Sequence, residues 1–201
     1  MDTQLVSVAR VIELAPDLAT EREPFLFSRH DGAVFLPRLR SYLLEFNTDT
    51  AVEVSFDQIR LMDTSFADEV FGTLAAERSR REFRAVPFFL SHLNPTSLDN
   101  LRFALIGRAK LDDKVNRHCV LPYMDTQGNL QLVGEKEPKL ADTFELLRLA
   151  KSLTGPQVAS IWKLSDNNAS SRLKALYDLG LATRTELRDE QGRQFIYRWL
   201  V

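Results

Sequence analysis

Along the first half of the chain, apolar residues recur with a period that switches between two and roughly three and a half. Residues 5–14 alternate loosely up to Pro16, and Phe25, Leu26 and Phe27 form a short apolar run, so both segments predict strands. Val34, Phe35, Leu39, Tyr42, Leu43 and Phe46 recur at helical intervals after Asp31, with Pro37 early enough to be tolerated. A polar break at 47–50 precedes AVEVSF at 51–56, which reads as a buried strand. Phe66, Val70, Phe71, Leu74 and Ala75 then share one face of a long helix, for which Asp63 or Thr64 is the natural cap. Glu69, Glu77, Arg78, Arg80 and Arg81 fill positions expected to be solvated, the arginines suiting the negative end of the helix dipole. RAVPFFL at 84–90 predicts another strand, placed at a sheet edge because Pro87 cannot donate to a ladder. Asn94-Pro95 opens a helix that runs through Leu98, Leu101 and Leu105 and ends near Gly107.

Strand–helix–strand–helix order with short connections predicts an α/β layer with parallel neighbours, a domain spanning residues 1–110. Residues 119–123 and 129–133 flank Asp125-Thr126-Gln127-Gly128 as a hairpin. The charged GEKEPK stretch at 134–139 reads as a linker, so 111–139 is expected to be hairpin and linker. Residues 140–201 change pattern again. Phe144, Leu147 and Leu153 mark a short amphipathic helix that Thr154-Gly155-Pro156 stops, and Thr154 can cap the next, which buries Val158, Ile161 and Trp162. After a turn at 164–166, Asn167 or Asn168 starts a third helix with Leu173, Leu176 and Tyr177 inside, ended by Gly180. Residues 181–187 and 194–200 then alternate as two strands.

Composition narrows the class. With 44% hydrophobic and 27% charged residues in 201, the chain has the make-up of one ordinary or two small folded domains, not of a disordered segment. The net charge of −2 predicts no bulk attraction to nucleic acid or membrane. It hides an asymmetry: seven bases against five acids leave +2 on residues 154–201 and −4 on the rest. The single cysteine, Cys119, forbids an internal disulfide and is expected to be buried and inert. No apolar run is long enough for a membrane span and the N-terminus lacks a signal pattern, so a cytoplasmic location is the expectation. There is no phosphate-binding glycine loop, and His30, His92 and His118 lack metal-ligand spacing. The carboxylate pairs Asp68-Glu69 and Asp112-Asp113 read as solvated. No catalytic constellation, cofactor or metal site is expected.

Two resemblances add to this reading. Leu153-Thr154, Val158-Ala159, Ala169-Ser170-Ser171-Arg172-Leu173 and the junction Leu176-Tyr177-Asp178-Leu179-Gly180-Leu181 resemble the winged helix-turn-helix family, over 140–201. The resemblance implies an α+β winged helix-turn-helix domain whose third helix enters the major groove of duplex DNA. Asn167, Asn168, Ser170, Ser171, Arg172 and Lys174 would then face the groove, and Arg184, Arg188 and Arg193 would touch the backbone from the hairpin. Solvated polar faces of a protein-binding fold are the other reading of the same residues. Residues 52–74 resemble STAS-like domains, more widely the anti-sigma-factor antagonists, through Met62-Asp63-Thr64-Ser65-Phe66, with the SFADE helix start at 65–69 as the closer match. In the antagonists a partner kinase phosphorylates the hydroxyl after the aspartate, which falls on Thr64 here; Phe66 replaces their glycine. Asp63, Thr64 and Ser65 are thus either a phosphoacceptor or partner loop, or simply a helix cap.

The combined expectation is an α/β STAS-like N-terminal domain followed by an α+β winged helix-turn-helix domain, in a non-enzymatic DNA-binding protein of transcription regulation. The STAS-like part would sense or dock a partner, and the whole would act as a dimer on duplex DNA. The alternative is a protein-interaction adaptor in a partner-switching or defence-type complex with a kinase or ATPase.

Overall fold

The computed structural model describes residues 3–7, 25–47, 51–83, 86–111, 118–189 and 192–201. Its centre is a five-stranded sheet in the order β1-β3-β5-β6-β7, where β1 is Thr3–Ser7, β3 Ala51–Ser55, β5 Phe88–Ser91, β6 Val120–Met124 and β7 Leu130–Gly134. The first four strands run parallel and β7 returns antiparallel to β6. Neighbours in sequence are neighbours in the sheet, so crossovers of one hand set their helices on one face. These are α1 (Arg29–Leu44), α2 and α3 (Pro95–Leu111). α2 runs on through Thr64–Ala67, a π turn at Asp68–Gly72 and Thr73–Arg80. Strand alternation sorts the residues: Val52 and Val54, Phe88 and Leu90, Leu121 and Val133 meet the helices. A two-stranded parallel ribbon, β2 (Phe25–Leu26) with β4 (Leu61–Met62), closes one end of that layer. β4 has too few residues to show a period in the sequence.

The opposite face carries Ala51, Phe89, Val120 and Leu130, and the C-terminal segment covers it. α4 (Pro138–Ala150) sends Leu140, Phe144 and Leu147 into the same cluster as those four strand residues. β8 (Ser152–Thr154), α5 (Gly155–Trp162), α6 (Asp166–Asp178), β9 (Thr183–Asp189) and β10 (Gly192–Arg198) follow, with β10 between β8 and β9 in an antiparallel sheet. Thr154 and Gln157 form a reciprocal capping box at α5, and Ser165 caps α6. Gly180 ends that helix at φ +68, as expected of a left-handed cap.

Several expectations change. The hairpin at 120–134, set between two domains by pattern, belongs to the central sheet, and α4 begins inside the segment read as a linker, with Pro138 in its first turn. β5 is central rather than at the edge. Pro87 lies just before the strand, where its missing N–H is not needed and its carbonyl accepts from Val52 N–H at 2.9 Å. The helix read to Leu153 stops at Ala150, and Ser152–Thr154 pairs as a strand. α6 starts at Asp166, just before the asparagines. The strand expected over 5–14 is seen as Thr3–Ser7; the rest of it, like Asp112-Asp113, lies outside the described residues.

Arg78 departs most from its expectation. Rather than being solvated it is 1% exposed, with its guanidinium 3.9 Å from the Phe88 ring centroid. It donates to the carbonyls of Val86 and, at 3.3 Å, Leu179. A Cβ on Gly180 would lie 3.0 Å from its Cζ, so glycine there serves both the backbone turn and the fit over the arginine. Arg81, one turn on and exposed, reaches Asp178 at 3.0 Å. Arg78 of α2 and Arg81, the residue that caps it, thus clasp the end of α6.

Candidate functional site

α5 and α6 pack against each other, and the first two turns of α6 point a row of short polar side chains outward. Asn167, Asn168, Ser170 and Ser171 are all exposed, because the inward positions belong to Ala169, Leu173 and Leu176. Asn167 and Ser171 face solvent. The Asn168 Oδ1 accepts from the Arg172 Nε at 3.2 Å. Ser170 sits over the start of α5, its Oγ 2.3 Å from where a Cβ on Gly155 would be, so it serves the helix crossing. Arg172 lies half-buried on Trp162, 5.2 Å from the ring centroid, and lines a shallow groove that Asp142 and Glu145 also line.

The cations are less available than their number implies. Lys174 is paired with Asp178 at 2.5 Å, on the same carboxylate that Arg81 reaches. In the hairpin, Arg184 is held between Tyr177 and Phe195, 4.0 and 4.4 Å from the ring centroids, at the root of β9 and β10. Arg188 and Arg193 stand opposite each other in the ladder and share Glu186, at 2.7 and 2.8 Å. Their hydrogen bonds and charge hold the Glu186 carboxyl below its usual range. Both arginines remain mostly exposed, so an incoming phosphate competes with Glu186 for groups already at the surface. The sequence showed three hairpin arginines; cross-strand register decides which two share a carboxylate and which is sandwiched.

At the other end of the molecule, Asp63 caps α2. One of its oxygens accepts from Phe66 N–H at 2.7 Å and the other from Ser28 N–H at 3.2 Å, tying the starts of α2 and α1 together. Thr64 is exposed, and its hydroxyl donates to Asn100 Oδ1 at 3.0 Å, while the Asn100 amide donates to Met62 O at 2.8 Å. Ser65 is exposed beside it. Asp68 and Glu69 are not a free carboxylate pair: Arg108 and Arg29 hold Asp68 at 2.6 and 2.8 Å, and Arg29 reaches Glu69 at 3.1 Å. Cys119 is buried, and burial pushes its thiol up to about 11, so it stays protonated and inert at neutral pH.

Among the described residues no cluster of His, Cys, Asp and Glu could hold a metal ion, and no helix is long and apolar enough to cross a membrane. Residues 32–100 match the model of the STAS-like domain of unknown function (DUF4325). The match runs from the first turn of α1 to the early turns of α3 and contains Asp63, Thr64 and Ser65. A STAS-like domain is therefore present in the chain. No curated protein matches it.

Proposed function

We propose that the protein is a DNA-binding regulator in which the STAS-like domain docks a partner and residues 140–201 act as a winged helix-turn-helix on duplex DNA. Support comes from the order helix, strand, helix, helix, strand, strand, with the three strands arranged β8-β10-β9. The observation that carries the proposal is the exposed amide and hydroxyl face of Asn167, Asn168 and Ser171 on α6, beside a hairpin that presents Arg188 and Arg193. Amides suit adenine edges in a major groove, and arginines on a hairpin suit phosphates. The clasp of Arg78 and Arg81 on the end of α6 supplies a physical route by which a partner on the STAS-like domain can bias the binding helix.

The test is fluorescence anisotropy of the full chain with duplex DNA, single-stranded DNA and RNA over a salt series. Duplex binding that weakens with salt is expected, and its loss in the combined Asn168→Ala, Ser171→Ala, Lys174→Ala variant. Because Glu186 holds two arginines, Glu186→Gln is expected to tighten non-specific duplex binding several-fold and to steepen the salt slope by about one. Absence of salt-sensitive duplex binding at micromolar protein defeats the proposal, and binding unchanged in the triple variant defeats this assignment of the face.

A second reading, a non-enzymatic adaptor that docks a kinase or ATPase, is favoured by one observation. Thr64 is exposed at the start of α2, where a phosphate would meet free N–H groups and displace the Asn100 contact. Thr64→Asp is expected under that reading to abolish co-purification of such a partner; indifference to the change counts against a phosphoswitch.

A further inference from the structure

The C-terminal segment covers only part of the second sheet face. Ala51 and Phe89, near the starts of β3 and β5, are buried beneath it. Toward the carboxyl ends of the same strands, the positions on that face are Glu53, Ser55 and Ser91. Ser55 and Ser91 are register partners, and both are buried. The Ser91 hydroxyl donates to Glu53 Oε1 at 2.6 Å. His92 follows at φ +58, a left-handed conformation that costs a histidine energy. Its Nδ1 lies 3.2 Å from Ser55 Oγ and 3.1 Å from Ser91 Oγ, which turns its other ring edge away from the strands. Four polar groups are thus gathered at the carboxyl ends of parallel strands, where α/β sheets commonly bind ligands.

Three of them, Glu53, Ser91 and His92, border a cavity of about 500 Å³, whose walls include Leu93 and Leu98 before and within α3, and Tyr123 and Met124 on β6. That volume is in the range of small-molecule sites. Among the described residues its lining contains two carboxylates, Glu53 and Asp125, and no lysine or arginine. Asp125 is occupied by its own turn, accepting from the N–H groups of Gln127 and Asn129 at 2.9 and 2.8 Å. Glu53 has only the Ser91 hydroxyl within hydrogen-bonding distance among the described residues, and His92 Nδ1 lies 4.0 Å away. A partly buried carboxylate with one neutral donor retains most of its need for a positive partner. The same charge repels phosphates and carboxylates.

We propose that this cavity binds a small organic cation, its protonated nitrogen on Glu53 and its apolar body against Leu98 and Tyr123. Ser91 orients the carboxylate, and His92 walls the polar end.

The probes are 2-phenylethylamine, its neutral N-acetyl derivative and 3-phenylpropionate, titrated into the full chain by calorimetry and ligand-observed NMR. Saturable binding of the amine alone is expected. Glu53→Gln, which keeps an acceptor for Ser91, is expected to weaken it at least about tenfold with the thermal midpoint retained, since a charge-assisted bond is lost. Leu98→Lys places a tethered ammonium in the cavity and is expected to abolish amine binding by a different route. Equal binding of the acid and the amine, amine binding indifferent to Glu53→Gln, or no saturable binding at millimolar probe each overturns the proposal. In those cases the cluster only satisfies polar groups at the end of the sheet. None of these outcomes bears on DNA binding, whose face lies on α6 and the hairpin.

Discussion

Arg78→Ala is expected to lower the unfolding free energy by about 3–5 kcal/mol, read from urea denaturation of the full chain. Three losses combine. The stack on Phe88 disappears, the carbonyls of Val86 and Leu179 lose a buried donor, and a cavity opens between α2, β5 and the end of α6. The last two recur wherever a long buried polar side chain is truncated; the position of this one makes its loss structural for two regions at once. Among the described residues no carboxylate faces the guanidinium, and carbonyl dipoles and a ring face stabilise its charge. Burial accordingly pushes its pKa down to about 9, still above neutral, and it remains charged at pH 7. The folded-state value lies below the unfolded one, so the unfolded chain holds more protons above about pH 9 and this group's contribution to stability rises with pH in that window. Below it, both states are charged and the full desolvation cost opposes folding. Arg78→Met, which removes that cost and keeps much of the volume, is expected to be milder than Arg78→Ala. A loss under about 1 kcal/mol in the alanine variant would show that the clasp does not hold in solution.

Gly134→Ala is the other change with a large expected effect, about 3 kcal/mol or more. Gly134 closes β7 opposite Val120 at φ +110, a conformation nearly reserved to glycine. A Cβ there would stand 2.2 Å from the backbone oxygen of Cys119 and 3.1 Å from Leu105 Cβ. A flexible side chain can swing aside, but a strand carbonyl moves only with its strand. The β6–β7 hairpin feeds both cores, Leu121 and Val133 on the helical face and Val120 and Leu130 on the other, so parting its end loosens both. Urea denaturation measures the loss, and faster hydrogen exchange of the β6 amides localises it. Gly107→Ala is the control: nothing lies within 4 Å of the added methyl on α3, and a small gain in stability is expected. Equal behaviour of the two variants would remove the close approach as the cause.

The legible parts of the candidate sites are those set within a few residues. Asp63 caps α2 and Thr154 caps α5 because a side-chain oxygen needs only the N–H two or three residues on. The outward row on α6 follows from helical spacing, since Ala169, Leu173 and Leu176 occupy the inward positions. Local charge pairs follow from spacing, Asp178 taking Lys174 one turn before it on α6 and Glu186 taking Arg188 two residues on along β9; the partners that were not legible are Arg193, which reaches Glu186 across the hairpin, and Arg81, which reaches Asp178 from a distant part of the chain. The net count of +2 over 154–201 already includes these acids; what it does not show is which cations are held by them.

The cluster at Glu53 and Ser91 left a faint trace: a carboxylate in AVEVS and a serine closing FFLS are polar residues in strands otherwise apolar. Alternation says that they share a face, but not whether that face is covered. The periods of the elements, most of their caps and turns, and the alternation that sorts each strand's residues onto two faces could be read along the chain, because these depend on backbone geometry over a few residues. That β5 is central, that the hairpin joins the main sheet, that Arg78 is buried under Gly180, and where the C-terminal segment stops short of the sheet's end emerge only when the chain is folded. Each of these depends on which distant surfaces meet, and burial and charge pairing arise from that meeting rather than from local pattern.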